Sequence, residues 1–213
     1  MPLQGYGAPG WINNHYAMSN TFAVYTTIKT GSGMEDTADW INYRDKICYP
    51  VEKYLIGFAV RNRERLISAI ISNAFLNEQV EFEQLKKIPA DKSLETIGDF
   101  VLDFAIIDHF APADRYTARE IDDFRQWYGN NETLHSFSKN CIHLHNFILW
   151  GPDERNQRKW DQPTTEILAD RFEMLIAVIY LEKGIEAVKE FLKKHNFFEK
   201  IDKIKKDRRS LNH

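Results

Sequence analysis

Residues 94–110 read LETIGDFVLDFAIIDHF, and this stretch decides the fold. Ile97, Phe100, Val101, Phe104 and Ile107 recur at steps of three and four. That spacing predicts a helix with these side chains stacked on one packed face. Two acids interrupt the apolar pattern. Glu95 and Asp99 lie four residues apart, so they point the same way on a helix of about 3.6 residues per turn. Like charges at that spacing weaken an isolated helix by roughly a few tenths of a kcal/mol. A bound cation is the usual device that offsets such repulsion.

Residues 167–181, ILADRFEMLIAVIYL, form the counterpart. The run is again strongly apolar and again carries two acids on one face, Asp170 and Glu173. If the two helices pack by their apolar faces, four carboxylates meet at one edge of the seam. Buried carboxylates cannot all stay ionised without a cation. An oxygen-only donor set is the chemistry of Mg²⁺ or Mn²⁺ rather than Zn²⁺. The plainer reading of each acid is a solvated helix carboxylate. Two pairs, each set in an apolar run, weigh against it.

Four segments carry a resemblance. LETIGD resembles the signature of ribonuclease III, with a Glu and an Asp four residues later flanking a Gly. ILADRFEMLIAVIYLEKG is similar to that family's second motif, EIDDFRQWYGNNETL to its middle helix, and IGFAVRNRERLISAIISNAFLNE to its first helices. The similarity runs from about Val51 to Lys194. It implies an all-α ribonuclease III endonuclease domain with an irregular N-terminal extension. It also implies that Glu95, Asp99, Asp170 and Glu173 are the catalytic, metal-ligating residues, with Mg²⁺ as cofactor and Mn²⁺ as a substitute. The activity implied is hydrolysis of double-stranded RNA, leaving 5′ phosphate, 3′ hydroxyl and short 3′ overhangs. A homodimer, with one acidic site per subunit, follows from the same resemblance. So do roles in small-RNA production of the RNA-interference kind or in RNA processing.

The chain departs from the family in three places. Lys92 stands where another acid is common, three residues before the signature Glu. Thr96 stands where a large apolar residue usually plugs into the partner subunit, which weakens that dimer contact. About twenty residues follow the last matching helix, too few for a double-stranded-RNA-binding domain. RNA contact is therefore expected from Arg155, Arg158 and Lys159 in the polar loop GPDERNQRKWDQP, from the tail residues Lys203, Lys205, Lys206, Arg208 and Arg209, or from an RNA-binding partner protein. Such contacts bind weakly and respond to salt.

Composition sets the outer bounds. The 213 residues, 43% hydrophobic and 28% charged, match an ordinary globular domain with an extension. The expected layout is an N-terminal extension over 1–45, partly extended or β, a catalytic domain over 46–195 and a basic tail over 196–213. Pro50 is expected to interrupt the helix that starts near Asp39. Net charge is −3, yet residues 193–213 hold six Lys and two Arg against three acids. No apolar run is long enough to span a bilayer. No secretory signal or transit peptide is visible, so the expected location is intracellular, cytoplasmic or nuclear. Cys48 and Cys141 read as free thiols.

Other chemistries fit less well. Cys141, His143 and His145 are spaced two apart and do not converge on a helix as zinc ligands would. A single Glu-x-x-His at Glu132 and His135 is too little for a di-iron bundle. Asp103, a further turn beyond Asp99, reads as structural or solvated. Two functional alternatives stay open. One is a catalytically silent RNA-binding or ribosome-associated scaffold of the same fold; the other is an all-α nucleotide pyrophosphatase, which also uses acid pairs on helices.

Overall fold

The computed structural model describes residues 37–77, 85, 88, 92–111, 116–162 and 166–211. The expected partly extended or β character of the N-terminal extension falls outside them up to residue 36, and of residues 78–91 only buried Leu85 and Ile88 are described. The described residues form an all-α fold. The helices in chain order are α1 (Thr37–Pro50), α2 (Arg63–Ile70), α3 (Asn73–Asn77), α4 (Lys92–Phe110), α5 (Ala118–Gly129), α6 (Asn131–Asn140), α7 (Pro152–Asn156), α8 (Ile167–Lys194) and α9 (Phe197–Leu211).

α4 and α8 lie against each other at the centre. α8 is apolar nearly all round because neighbours surround it: α2, α4 and α6 all pack on it. Phe137 of α6, Phe172 of α8 and Phe197 of α9 form a fully buried trio, with ring centroids 4.9 to 5.9 Å apart. Tyr128 at the end of α5 donates from its hydroxyl to Asp202 of α9 at 2.7 Å, so the basic C-terminal segment is a docked helix rather than a frayed end.

Local capping chemistry sets the helix starts. The Asn62 side chain accepts from the Arg65 N–H at 3.0 Å. Thr117 and Glu120 form a capping box at the start of α5, and Asn130 caps α6. α2 ends at Ile70, although Ile71 and Ala74 continue its apolar period. Ile71 turns extended and pairs with Leu149 in an isolated bridge, the Leu149 N–H donating to the Ile70 carbonyl at 2.8 Å. The pairing removes a residue from the helix and fixes the 147–151 segment against α2.

Pro50 does not break the chain as expected. It keeps helical angles, and a π-helical turn over Val51–Ile56 follows it. The wider turn suits a residue without an N–H and with a ring that crowds the preceding carbonyl. Gly57, at φ +98°, then ends the helix. The turn places Glu52, 5% exposed, under Arg63. The two Glu52 oxygens accept from Arg63 Nε at 3.0 Å and Nη2 at 3.1 Å, and one also takes the Val60 N–H at 3.0 Å. Arg63 also pairs with Asp45 and is 24% exposed, so losing Glu52 leaves it partly compensated while the Val60 N–H loses its acceptor. Glu52→Ala is therefore expected to lower unfolding stability by about 1–3 kcal/mol, read by urea denaturation, whereas Glu52→Gln retains part of the network and loses less.

Candidate metal centre

Gly98 explains how the two acidic helices come together. Its backbone meets α8 so closely that a Cβ built on it would lie 1.9 Å from the Glu173 carbonyl oxygen. Only a residue without a side chain permits that approach. Gly98 sits between Glu95 and Asp99 in sequence, so the contact brings both acids to the level of Glu173. Nearby Leu94, Val101, Leu102, Ala105 and Ile106 fill the buried face of α4.

The packed face differs from the one the periodicity favours. Phe100 and Phe104 are 69% and 52% exposed, and Ile97 and Ile107 lie at the edge of the core. α4 thus shows solvent two aromatic rings one turn apart, on the far side of the acid row.

Carboxylate oxygens of Glu95, Asp170 and Glu173 all lie within 4.8 Å of one another. Among the described residues this is the only group of three or more Asp, Glu, His or Cys side chains gathered closely enough to share an ion. Cys141, His143 and His145 form no such group; the His145 ring stacks on Trp160 instead. Asp99 stands beside the trio without joining it at that distance. Its charge acts on Glu173, and Glu95 acts on Asp99.

The electrostatics show how crowded the centre is. Burial pushes the Glu173 carboxyl up to about 8, with Asp99 and Asp170 adding repulsion. Burial likewise raises Asp170 to about 6, helped by Glu95. Asp99 is raised first by burial and then by Asp103, while Arg125 pulls it down. Three adjacent acids that resist ionisation fit a hard divalent cation, whose charge would replace the protons they otherwise hold.

Arg171 lies between the two α8 acids in sequence but on another side of the helix. It is 8% exposed, and its Nη1 donates to the Ser68 carbonyl at 3.1 Å in the last turn of α2. A cation there suits the negative end of that helix and partly offsets Asp170.

The residues singled out for RNA contact are dispersed. Arg155 is half-buried on α7. Arg158 adopts φ +46° and pairs with Asp161, which also binds Lys139 at 3.0 Å. Lys159 opens the following 3₁₀ turn. Lys203 and Lys206 are exposed on α9. The Lys205, Arg208 and Arg209 side chains lie outside the described ones.

Sequence reasoning misses one partnership. Asp103 is not simply solvated: its Oδ2 accepts from Arg125 Nη1 of α5 at 2.8 Å. The signal is weak because the partner is 22 residues away on another helix. What the pattern does offer is an Arg on the α5 face opposite an acid one turn beyond Asp99.

An all-helical domain with an oxygen-only acidic centre on two packed helices is the class these observations define. The chain belongs to the ribonuclease-III-like family, whose model it matches over residues 63–200. It is 32% identical over 154 residues to ribonuclease 3 of Clostridium perfringens, a match covering 72% of this chain and 60% of that relative. Ribonuclease 3 of Clostridium tetani is 31% identical over 153 residues, covering 71% and 61%. The chain therefore spans about 60% of the length of these curated relatives. The fold is similar to the nuclease domain of ribonuclease III from Campylobacter jejuni, with a TM-score of 0.54 and 23% identity, covering 68% of this chain and 92% of that one. For that domain, flexibility has been described in a region involved in dimer formation. No helix among the described residues is long and apolar enough to cross a membrane.

Proposed function

We propose that this chain is a divalent-metal-dependent endoribonuclease that cuts double-stranded RNA. The observation that carries this reading is the Glu95, Asp170 and Glu173 cluster, within 4.8 Å, on the two helices whose motifs define the family. Mg²⁺ is the proposed ion, with Mn²⁺ as a substitute, and Asp99 completes the ligand set directly or through water. When bound, the ion would lower the pKa of a water and neutralise charge on the phosphorus oxygens. The chain's own residues hold that site. Gly98 sets the helix separation, Glu173 supplies a buried carboxylate and Asp170 a half-buried one, and Glu95 and Asp99 close it from α4. Products with a 5′ phosphate, a 3′ hydroxyl and short 3′ overhangs are the expected outcome.

Duplex rather than single-stranded RNA is the proposed substrate because A-form RNA is read by shape across its minor groove. The basic residues on the 151–161 segment and α9 would add phosphate contacts. Incubation with labelled duplex RNA, single-stranded RNA, duplex DNA and nucleoside triphosphates separates the readings. Mg²⁺-dependent cutting of duplex RNA alone supports the nuclease. Triphosphate hydrolysis without RNA cutting supports a pyrophosphatase instead, and duplex binding without cutting supports the scaffold.

The exposed rings of Phe100 and Phe104 supply the dimer surface in this reading. Thr96 leaves no plug on that face; its hydroxyl turns back to the Lys92 carbonyl at 3.4 Å. Two exposed aromatics one turn further along α4 would replace it as anchors. The double variant Phe100→Glu, Phe104→Glu is expected to sediment as a monomer at concentrations where the native chain is a dimer. Its dissociation constant would rise by about a hundredfold or more.

A further inference from the structure

We propose that Arg125 is a phosphate-binding residue beside the acid cluster, held in position by Asp103 and Asp122. The inference rests on the nuclease reading above and adds to it a group that binds the RNA backbone.

Position comes first. Asp103 lies one turn beyond Asp99 on α4, so a guanidinium bonded to it stands at the end of the acid row. Arg125 reaches there from α5, and its positive charge is felt at Asp99. Asp103 itself is occupied. Its Oδ2 accepts from Arg125 Nη1 at 2.8 Å. Its other oxygen fills the space left by Gly129, where a Cβ would sit 3.2 Å from Oδ1. An acid bonded to Arg125 through one oxygen, with the other packed against Gly129, is a holder for the guanidinium.

Geometry comes second. Asp122 accepts from Arg125 Nε at 3.0 Å and lies 3.0 Å from Nη2. The planar group is thus pinned on two edges, while N–H groups on both terminal nitrogens stay outside these pairs. The side chain is 35% exposed. A guanidinium so fixed loses little freedom on binding and matches the oxygens of a phosphate. A duplex laid along the acid row brings one negative charge per nucleotide past this point. Directional donors at a fixed place suit orientation of the strand, not merely attraction to it.

The test compares the full chain with R125Q, R125K and D103N. Binding of a labelled RNA duplex is measured by anisotropy in EDTA from 50 to 200 mM salt, a range of about fourfold over which phosphate contacts show. Mn²⁺ binding is followed separately by electron paramagnetic resonance. R125Q is expected to weaken duplex binding about tenfold and to reduce the salt slope by about one, with Mn²⁺ binding retained. R125K should keep the slope but lose about tenfold in kcat, because a point charge replaces the fork. D103N should keep the slope within error and lower kcat more than KM, since the guanidinium is present but held on one edge only, by Asp122. Unchanged duplex affinity and slope in R125Q overturn the proposal and leave a structural ion pair between α4 and α5. Should R125Q not fold, R125K decides: wild-type kcat in it overturns the proposal equally. A native chain that neither binds nor cuts duplex RNA removes the nuclease reading and this inference with it. A native chain that cuts, with R125Q binding unchanged, removes the inference alone.

Discussion

Replacing Glu173 by Gln is expected to abolish Mg²⁺-dependent cleavage of duplex RNA and to make the metal-free protein more stable at pH 8 and above. Both effects have one source. Glu173 is 7% exposed and faces Asp99 and Asp170. Without a cation its carboxyl holds a proton to about pH 8, against an ordinary value of 4.5. The folded chain therefore binds more protons than the unfolded chain between those values. The stability that this proton supports is fully present below about 4.5 and is lost as pH rises through about 8. Asp170 adds a smaller loss between its ordinary 3.8 and about 6. The amide of the variant has no charge to bury, so Glu173→Gln should be more stable by about 1–3 kcal/mol at about pH 8.5. The same change deletes a metal ligand, and cleavage should fall by about a thousandfold or more. Saturating Mg²⁺ should raise the melting temperature of the native chain and leave that of the variant nearly unmoved. Apparent metal affinity in the native chain should strengthen from about pH 6 to 8, since binding must release these protons. Melting curves across pH, with and without Mg²⁺, read the stability and metal effects together, and a cleavage assay reads the loss of activity.

Gly98→Ala should be nearly as damaging for activity, by a different route. The added methyl would lie 1.9 Å from the Glu173 carbonyl oxygen and 2.4 Å from its carbon, both backbone atoms that cannot turn aside. The helices must separate or slide. Overpacking of this kind costs about 1–3 kcal/mol and sometimes more, so a loss of about 3 kcal/mol or greater in chemical denaturation is expected. The separation also moves Glu95 and Asp99 away from Glu173. A displacement of about 1 Å at such a site costs roughly a hundredfold in rate. By contrast, Gly184→Ala meets no neighbouring atom within 4 Å, and its strain comes only from φ +78° inside α8. Its effect should fall on stability, with the cleavage rate per folded molecule retained.

α4 and α8 are legible because both are long, apolar and marked by paired acids. Their helical character and the level at which the acids stand follow from period alone. The buried face of α4 does not. A period of three to four counts every large apolar side chain as core, and Phe100 and Phe104 obey the period while facing solvent. The true contact face is built around Gly98 and Ala105, small residues that a hydrophobic pattern ranks low. Pro50 misleads for a similar reason. The residue type forbids one hydrogen bond, but whether a helix stops or widens depends on what Glu52 and Leu55 meet afterwards. The end of α2 depends on Leu149, nearly eighty residues downstream. The Asp103–Arg125 pair needs the α4–α5 packing before either residue has a partner. Capping, in contrast, is local, and Asn62 is readable as it stands.

The most direct single measurement is cleavage of a long, end-labelled RNA duplex by the native chain and by Glu173→Gln, side by side, in Mg²⁺ and in EDTA. The expected result is discrete cutting by the native chain in Mg²⁺ only, with none by the variant. Equal cutting by both chains, or cutting that persists in EDTA, would contradict a metal centre at Glu95, Asp170 and Glu173.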